Sequence, residues 1–299
     1  MRIRILGTAA GGGVPQWNCA CPGCAAARAH PEWRRRHASI AVEAADGRWL
    51  VINATPDIAE QVEASDELLP GPEPRRTPVA GVVLTDAELD HTLGVPRLRE
   101  APSLRVVATG TVRGALADGL RLDRVLDPYA GLTWTELPHD GDPPLADGDL
   151  ELSAVTVSGK RPRYAADLDV PGDAWVVALR IADRRGGASL VYAPALAAWP
   201  DALDDALAGA GCVIIDGTFW DDDEPRRAGF STRTATEMGH LPITGAHGTA
   251  DRLAALPASR RLYTHLNNTN PLVDPGHDGH RELAHRGVEV APEGLVIEL

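Results

Sequence analysis

The sequence predicts a layered α/β fold in which two β-sheets pack face to face with helices on the outside. Three observations predict it. Short runs rich in Val, Ile and Leu recur with Gly, Pro or Asp at their ends, the pattern of strands. Helical stretches lie between many of them, and such alternation argues for an α/β arrangement of layers. Strand-like runs outnumber helical ones, which points to antiparallel hairpins mixed in, as in a two-sheet sandwich.

Taken in order, the first strand is residues 3–6, where Met1-Arg2-Ile3-Arg4-Ile5-Leu6 alternates polar and apolar side chains. Strands at 39–42 and 49–53 follow, then a helix at 56–64 and a loop at 70–78. A strand at 81–84, a helix at 92–99, a strand at 105–108 and a helix at 110–120 come next. The Pro/Gly/Asp-rich segment 138–148 reads as a loop, followed by a strand at 151–157 and a loop at 161–172 that carries Tyr164. Strands at 175–181 and 189–193, a helix at 203–210, a strand at 212–215, a helix at 248–255 and a strand at 261–265 complete the series. With no internal repeat and no evident linker, residues 1–299 read as one domain.

The composition narrows the function. At 44% hydrophobic residues, 299 residues can bury a sizeable core. A formal charge of −13 argues against nucleic acid, whose phosphates need clustered Lys and Arg, and against an anionic membrane surface. No run approaches the ~18 apolar residues of a membrane span, and the N-terminus lacks the apolar stretch of a signal peptide. The expected compartment is the cytoplasm.

Three of the four cysteines fall within Asn18-Cys19-Ala20-Cys21-Pro22-Gly23-Cys24. In a reducing compartment such clustering suggests a metal rather than disulfides. Pro22-Gly23 favours a tight reversal, and Cys19, Cys21 and Cys24 can then direct three thiolates at one structural Zn(II). No nearby residue is evident as a fourth ligand. Cys212 lies in an apolar run and reads as core.

The richest stretch is Thr85-Asp86-Ala87-Glu88-Leu89-Asp90-His91. It follows the apolar run Val82-Val83-Leu84, so three carboxylates and an imidazole gather where a strand ends. Two later segments can supply partners. His265 ends a strand and opens the Asn-rich run His265-Leu266-Asn267-Asn268-Thr269-Asn270-Pro271, and His240 lies in Glu237-Met238-Gly239-His240. Asp216, ending Val213-Ile214-Ile215, either orients a ligating imidazole or caps a turn. Glu88, Asp90, His91 and His265 thus form a candidate metal set. Two imidazoles plus carboxylate with positions left open is the ligand pattern of non-haem Fe(II) oxygenases. Glu88 sits either on the metal or one layer behind it. His240 is a candidate base, with a metal ligand and a hydrogen-bond partner to substrate as alternatives.

The run Leu6-Gly7-Thr8-Ala9-Ala10-Gly11-Gly12-Gly13-Val14-Pro15-Gln16-Trp17-Asn18-Cys19 resembles the N-terminal signature of the PqqB family of pyrroloquinoline quinone (PQQ) biosynthesis. Asn53-Ala54-Thr55-Pro56-Asp57, Asp216-Gly217-Thr218, Met238-Gly239-His240 and the run from His265 to Pro271 fit the same family, so the resemblance runs nearly end to end. It implies a metallo-β-lactamase fold, an αββα four-layer sandwich. The spacing of residues 86–91 matches that superfamily's His-x-His-x-Asp-His motif, but Asp86 and Glu88 stand where it has histidines. Residues 157–160 lack a further histidine, and residues 192–195 lack the bridging aspartate of its two-zinc hydrolases.

The resemblance implies an iron- and O2-dependent hydroxylase of the tyrosine-derived ring of a Glu–Tyr cross-linked PQQ precursor, a small amino-acid-like phenol. His240 and Asp216 are then the expected catalytic residues. Glycines 11–13 read as a permissive loop beside the site. A metal-dependent hydrolase and a non-catalytic carrier that transports PQQ are the alternatives. Homo-oligomerisation is left open.

Overall fold

The computed structural model describes residues 1–73 and 75–299. Pro74, inside the expected 70–78 loop, lies outside the described residues. In chain order the strands are β1 (Arg2–Gly7), β2 (Ser39–Glu43), β3 (Trp49–Ile52), β4 (Val79–Val83), β5 (Ser103–Ala108) and β6 (Gly131–Glu136). Then come β7 (Leu145–Asp147), β8 (Leu150–Ser158), β9 (Val176–Asp183), β10 (Ser189–Ala193), β11 (Cys212–Asp216), β12 (Arg260–Thr264), β13 (Glu289–Val290) and β14 (Val296–Glu298). They form two seven-stranded sheets, ordered β14-β1-β2-β3-β4-β5-β6 and β13-β12-β11-β10-β9-β8-β7. Both sheets are mixed: β14, β1, β2 and β3 pair antiparallel and β3 to β6 parallel, while β7 to β10 pair antiparallel and β10 to β13 parallel.

The strands are apolar on both faces because both faces are covered. Ile40, Val42, Leu50, Ile52 and Val83 of the first sheet meet Leu179, Ile181, Leu190, Tyr192 and Ile214 of the second in one core. The alternate residues Val82, Val106, Val191, Val213 and Ile215 face outward, into a core shared with helical residues such as Val112, Leu116, Leu203, Leu207 and Leu253. This period-2 division is what strand geometry dictates, and it makes the expected helix-sheet-sheet-helix layering.

The structure corrects several expected elements. The single helix at 92–99 is broken into Leu89–Thr92 and a 3-10 turn Val95–Leu98. Gly94 lies between them with its N–H on Ala54 O, and a Cβ there would meet Thr55 O at 2.1 Å, so the chain must jog to approach that loop. The expected helix at 110–120 widens along its length, from the α-helical Gly110–Gly114 into a π-type turn Ala115–Gly119. The loop at 138–148 contains β7. Pro22 and Gly23 do not make a reversal: Pro22 begins the helix Pro22–Ala29, where its missing N–H costs nothing. Gly23 lets that helix press against Asn268 O, which a Cβ would meet at 2.4 Å.

At one edge of the sandwich the sheets are joined by the bridge pairs Asp86–Val176 and Ala9–Leu266. There the C-terminal ends of β4, β11 and β12 converge. No helix among the described residues is long and apolar enough to cross a membrane.

Candidate metal centres

Asp90 and His91 lie in the short helix after β4, and His265 is the first residue after β12. Their ligand atoms come within 4.8 Å of one another. His265 Nε2 is 3.3 Å from Asp90 Oδ2, and His91 Nε2 is 3.8 Å from the same oxygen. The two rings meet at 60° with centroids 5.2 Å apart.

Each histidine is held from behind through Nδ1. His91 Nδ1 donates to Asp86 Oδ2 at 2.7 Å. Asp86 is itself set by Thr85 Oγ1 (2.9 Å) and by the Glu88 N–H (2.9 Å). Asn53, in the left-handed region at φ 67°, donates to Thr85 Oγ1 and accepts from the Thr85 N–H. His265 Nδ1 lies 2.7 Å from Thr218 Oγ1, and that hydroxyl donates to Asp216 Oδ1 at 2.6 Å. Because the Thr218 proton goes to the carboxylate, this network assigns the His265 proton to Nδ1 and leaves Nε2 as a lone pair toward Asp90. His240 Nδ1 donates to Asp216 Oδ2 at 2.7 Å, and its ring stacks on His265 at 5.7 Å. A carboxylate or hydroxyl on Nδ1 with Nε2 turned inward is how metal-ligating imidazoles are oriented.

A second set, Asp216, His240 and His265, also has ligand atoms within 4.8 Å. It is a hydrogen-bonded knot around the Thr218 hydroxyl. Asp216 is fully buried and accepts from Leu196 N, Thr218 N, Thr218 Oγ1 and His240 Nδ1. With four donors in place it acts on the site through Thr218 and His240. Asp216, expected among the catalytic residues, is therefore a positioning residue. Asp216→Asn should weaken metal binding at the His91/His265 site ~10–100-fold, the usual effect of removing an outer partner, which calorimetric titration with metal would read.

The donor set fits a metal ion. His91 Nε2 is buried and has no hydrogen-bond partner. His265 Nε2 and Asp90 Oδ2 face each other as two acceptors, an arrangement a cation relieves. Burial alone would lower the pKa of His91, but the Asp86 and Asp90 charges outweigh it and raise it to about 9. Burial and the charge on His91 push His265 down. Asp90 is largely desolvated, yet the charge on His91 holds it well below the usual carboxylate range.

The metal-free centre thus carries a proton on His91 at neutral pH. A metal must displace it, so binding should release one proton and tighten about tenfold per pH unit up to about pH 9. Calorimetry in buffers of different ionisation enthalpy checks this. The raised pKa also stabilises the metal-free fold below pH ~6.5. That contribution fades as pH rises through about 9, and a metal-loaded chain should lack the fade.

Glu88, expected as a ligand, does not join this group. Its extended backbone (φ −66°, ψ 150°) precedes the helix that carries Asp90, and its N–H is tied to Asp86 Oδ1. Its carboxylate is half-buried, and burial and the Asp86 charge raise its pKa. Gly11 lies on the other side, where a Cβ would meet the Asp90 carboxylate at 3.5 Å, so the glycine loop borders the site as expected. The Asn-rich run after His265 is braced throughout. Asn267 N donates to Thr218 O, Asn270 Nδ2 to Gly217 O, and Thr269 Oγ1 to the buried Glu224. Lys160 reaches Met238 O at 2.7 Å, whereas Arg97 is engaged with Pro56 O and Glu60 and Arg99 stacks over Tyr129.

Cys19, Cys21 and Cys24 form a separate group with sulfurs within 4.8 Å. Donors surround them: Asn268 Nδ2 reaches Cys19 and Cys21 Sγ at 3.2 and 3.3 Å, and Gln16 N reaches Cys24 Sγ at 3.2 Å. Partial burial of Cys21 works the other way, but bonds from Cys24 N and Asn268 pull its pKa down. Burial pushes Cys24 up to about 11. Donors aimed at sulfur suit thiolates, and so suit zinc. Cys212 is fully buried in the core, with its thiol pushed up to about 12 by that burial.

Comparison with known proteins agrees with this architecture. The Beta-lactamase superfamily domain model matches residues 48–266. A coenzyme PQQ synthesis protein B from Cupriavidus necator is 42% identical over 307 residues, covering 99% of each chain. Its namesake from Azoarcus sp. is 40% identical over 306 residues, covering 100% of each. The crystal structure of Zn(2+)-bound PqqB from Methylobacterium extorquens superposes with a TM-score of 0.90 at 33% identity, covering 100% of both chains. A diphosphatase of the PhnP family, 19% identical with a TM-score of 0.68 over 100% of this chain and 98% of that one, has the same fold. The two mixed sheets flanked by helices are a metallo-β-lactamase fold.

Proposed function

The chain belongs to the coenzyme PQQ synthesis protein B family of the β-lactamase superfamily, and we propose that it serves PQQ biosynthesis as a single-iron, O2-dependent hydroxylase of a tyrosine-derived phenol. The substrate in this reading is the Glu–Tyr cross-linked precursor. One observation carries it. Asp90, His91 and His265 converge with both imidazoles locked at Nδ1, and His91 Nε2 is left buried without a partner. Two imidazoles and a carboxylate with open positions suit Fe(II) and O2. Held there, iron supplies the redox partner that lets O2 react with a phenol ring. One oxygen atom replaces a ring hydrogen as hydroxyl. The other leaves as water, with two electrons and two protons from an added reductant of the ascorbate class.

The protein's own groups do the rest. Asp86 and Thr218 hold the two imidazoles in the ligating tautomer. His240, with Nδ1 tied to Asp216, offers Nε2 to take the phenolic proton. An aromatic wall adjoins it: Phe219 meets His240 edge-on at 5.9 Å, and the exposed Phe230 stacks on Phe219 at 6.3 Å. Cys19, Cys21 and Cys24 would hold a structural zinc, which would secure the N-terminal turn to Asn268.

Hydrolysis with two metals is disfavoured because residues 157–160 bring Lys160 rather than a further imidazole, and residues 192–195 bring no carboxylate. The test is anaerobic reconstitution with Fe(II), then addition of O2, reductant and a phenolic amino acid. The expected result is a ring-hydroxylated product with Fe(II) and none with Zn(II) or Mn(II). Turnover by Zn(II) or Mn(II) without O2, and no product with Fe(II), contradicts the proposal.

A further inference from the structure

We propose that Glu88 and Lys160 are the substrate anchors of this site, taking respectively the ammonium and the carboxylate of an amino-acid group. The inference rests on the amino-acid-like substrate proposed above and adds the residues that would recognise it.

Glu88 is half-buried, and among the described residues its carboxylate has neither a hydrogen-bond donor nor an ion-pair partner. Its backbone, by contrast, is fully engaged: the N–H goes to Asp86 Oδ1, and the carbonyl accepts from Thr92 Oγ1 and His91 N. The main chain of Glu88 is therefore fixed while its carboxylate oxygens stay without partners. A partly desolvated carboxylate without donors is unfavourable unless a cation completes it.

Lys160 is the second charge. Its Nζ spends one of three protons on Met238 O at 2.7 Å, and its stem packs on Gly239, where a Cβ would meet Cδ at 2.8 Å. Among the described residues it has no acidic partner. Its field reaches Glu88, yet the two form no ion pair. One charge lies two residues before Asp90, and the other touches the chain two residues before His240. Asp90 and His240 are the partly exposed members of the centre, each with 14% of its side chain accessible, whereas His91 and His265 are at 1% and 7%. The opposite charges thus lie next to the partly exposed members of the centre without pairing with each other. An α-amino acid offers the complementary pair, and its phenol would extend toward His240.

The test is anaerobic calorimetry on iron-loaded chain with three probes. L-Tyrosine carries both charges, tyramine lacks the carboxylate, and 3-(4-hydroxyphenyl)propionate lacks the ammonium. Wild type should bind L-tyrosine the most tightly. Glu88→Gln should weaken L-tyrosine and tyramine by about tenfold or more, the loss of one charge-assisted contact, and leave 3-(4-hydroxyphenyl)propionate unchanged. Lys160→Met should weaken L-tyrosine and 3-(4-hydroxyphenyl)propionate and spare tyramine. Iron content should stay at wild-type level in both variants, and Glu88→Asp should recover part of the ammonium preference.

Loss of iron in Glu88→Gln would make Glu88 a metal ligand and overturn the inference. Equal weakening of all three probes would also overturn it, while leaving the hydroxylase reading intact. Failure of every probe to bind wild type would overturn the inference together with the substrate class on which it rests.

Discussion

Asp90→Ala should empty the active-site centre of iron while leaving zinc at the cysteines. Asp90 is the one carboxylate in the converging group, and it supplies the negative charge that both imidazoles face. Without it, two neutral nitrogens would have to hold a divalent ion in a buried setting, with no anion to offset its desolvation. The affinity loss should exceed the ~10–100-fold expected for an outer partner such as Asp216, and hydroxylation should fall below detection. Metal analysis of anaerobically purified protein reads both sites at once: one zinc retained and iron absent. Asp90→Asn serves as the control for shape. It keeps the volume, loses the charge, and should behave almost as badly. In the metal-free protein either change also removes one of the carboxylates that raise His91, so the His91 pKa should fall from about 9.

Cys21→Ser should release the zinc and lower the melting temperature more than any single change at the iron centre. Cys21 has two jobs in the local structure. Its sulfur caps the helix Pro22–Ala29 by accepting from Cys24 N, and it touches both the carbonyl and the amide of Asn268. The three sulfurs are gathered by the helix cap and by the Asn268 contacts, which only the folded chain supplies, so much of the zinc binding free energy appears as folding free energy. A loss of several kcal/mol, at ~2 °C or more per kcal/mol for a chain of this size, amounts to ~10 °C. Asn268 lies three residues past His265, so the same variant should also loosen the iron centre modestly. Calorimetric melting before and after chelation checks this: chelation should lower the melting temperature of the wild type by more than that of the variant.

The layering was readable because the interior strands carry apolar residues on both faces. That pattern is strong for β2, β3, β10 and β11, which have every residue or nearly every residue buried. The strands not foreseen are β6, β7, β13 and β14, and these are the four edges of the two sheets. An edge strand has one neighbour and one half-covered face, so β6 (Gly-Leu-Thr-Trp-Thr-Glu) shows no fully buried position and no clear apolar run. The broken helix at 92–99 failed for a different reason. Gly94 answers to the backbone of Ala54 and Thr55, some 40 residues away, and helical periodicity carries no trace of that contact.

The candidate site was readable to the extent that its groups end strands. Asp216 is the last residue of β11, His265 follows β12, and the Asp90–His91 pair follows β4 closely. What turns those groups into a centre was not readable. Asp86 looked only like a substituted ligand, yet it is the carboxylate that fixes His91. Thr218 was part of a quoted motif without a role, and it couples Asp216 to a histidine 47 positions away. His265 and Asn53 both take left-handed backbone conformations, at φ 62° and 67°, which are uncommon for residues other than glycine and collect at functional sites.

In the proposed reaction one open iron centre delivers oxygen from O2 to a phenol ring. The direct test is mass spectrometry of the product formed by iron-loaded protein under ¹⁸O2 in ordinary water, paired with ¹⁶O2 in H2¹⁸O. The account predicts one heavy oxygen atom in the ring from ¹⁸O2 and none from H2¹⁸O. Heavy oxygen from water alone, or product formed without O2, would mark a hydrolytic or hydration reaction and contradict it.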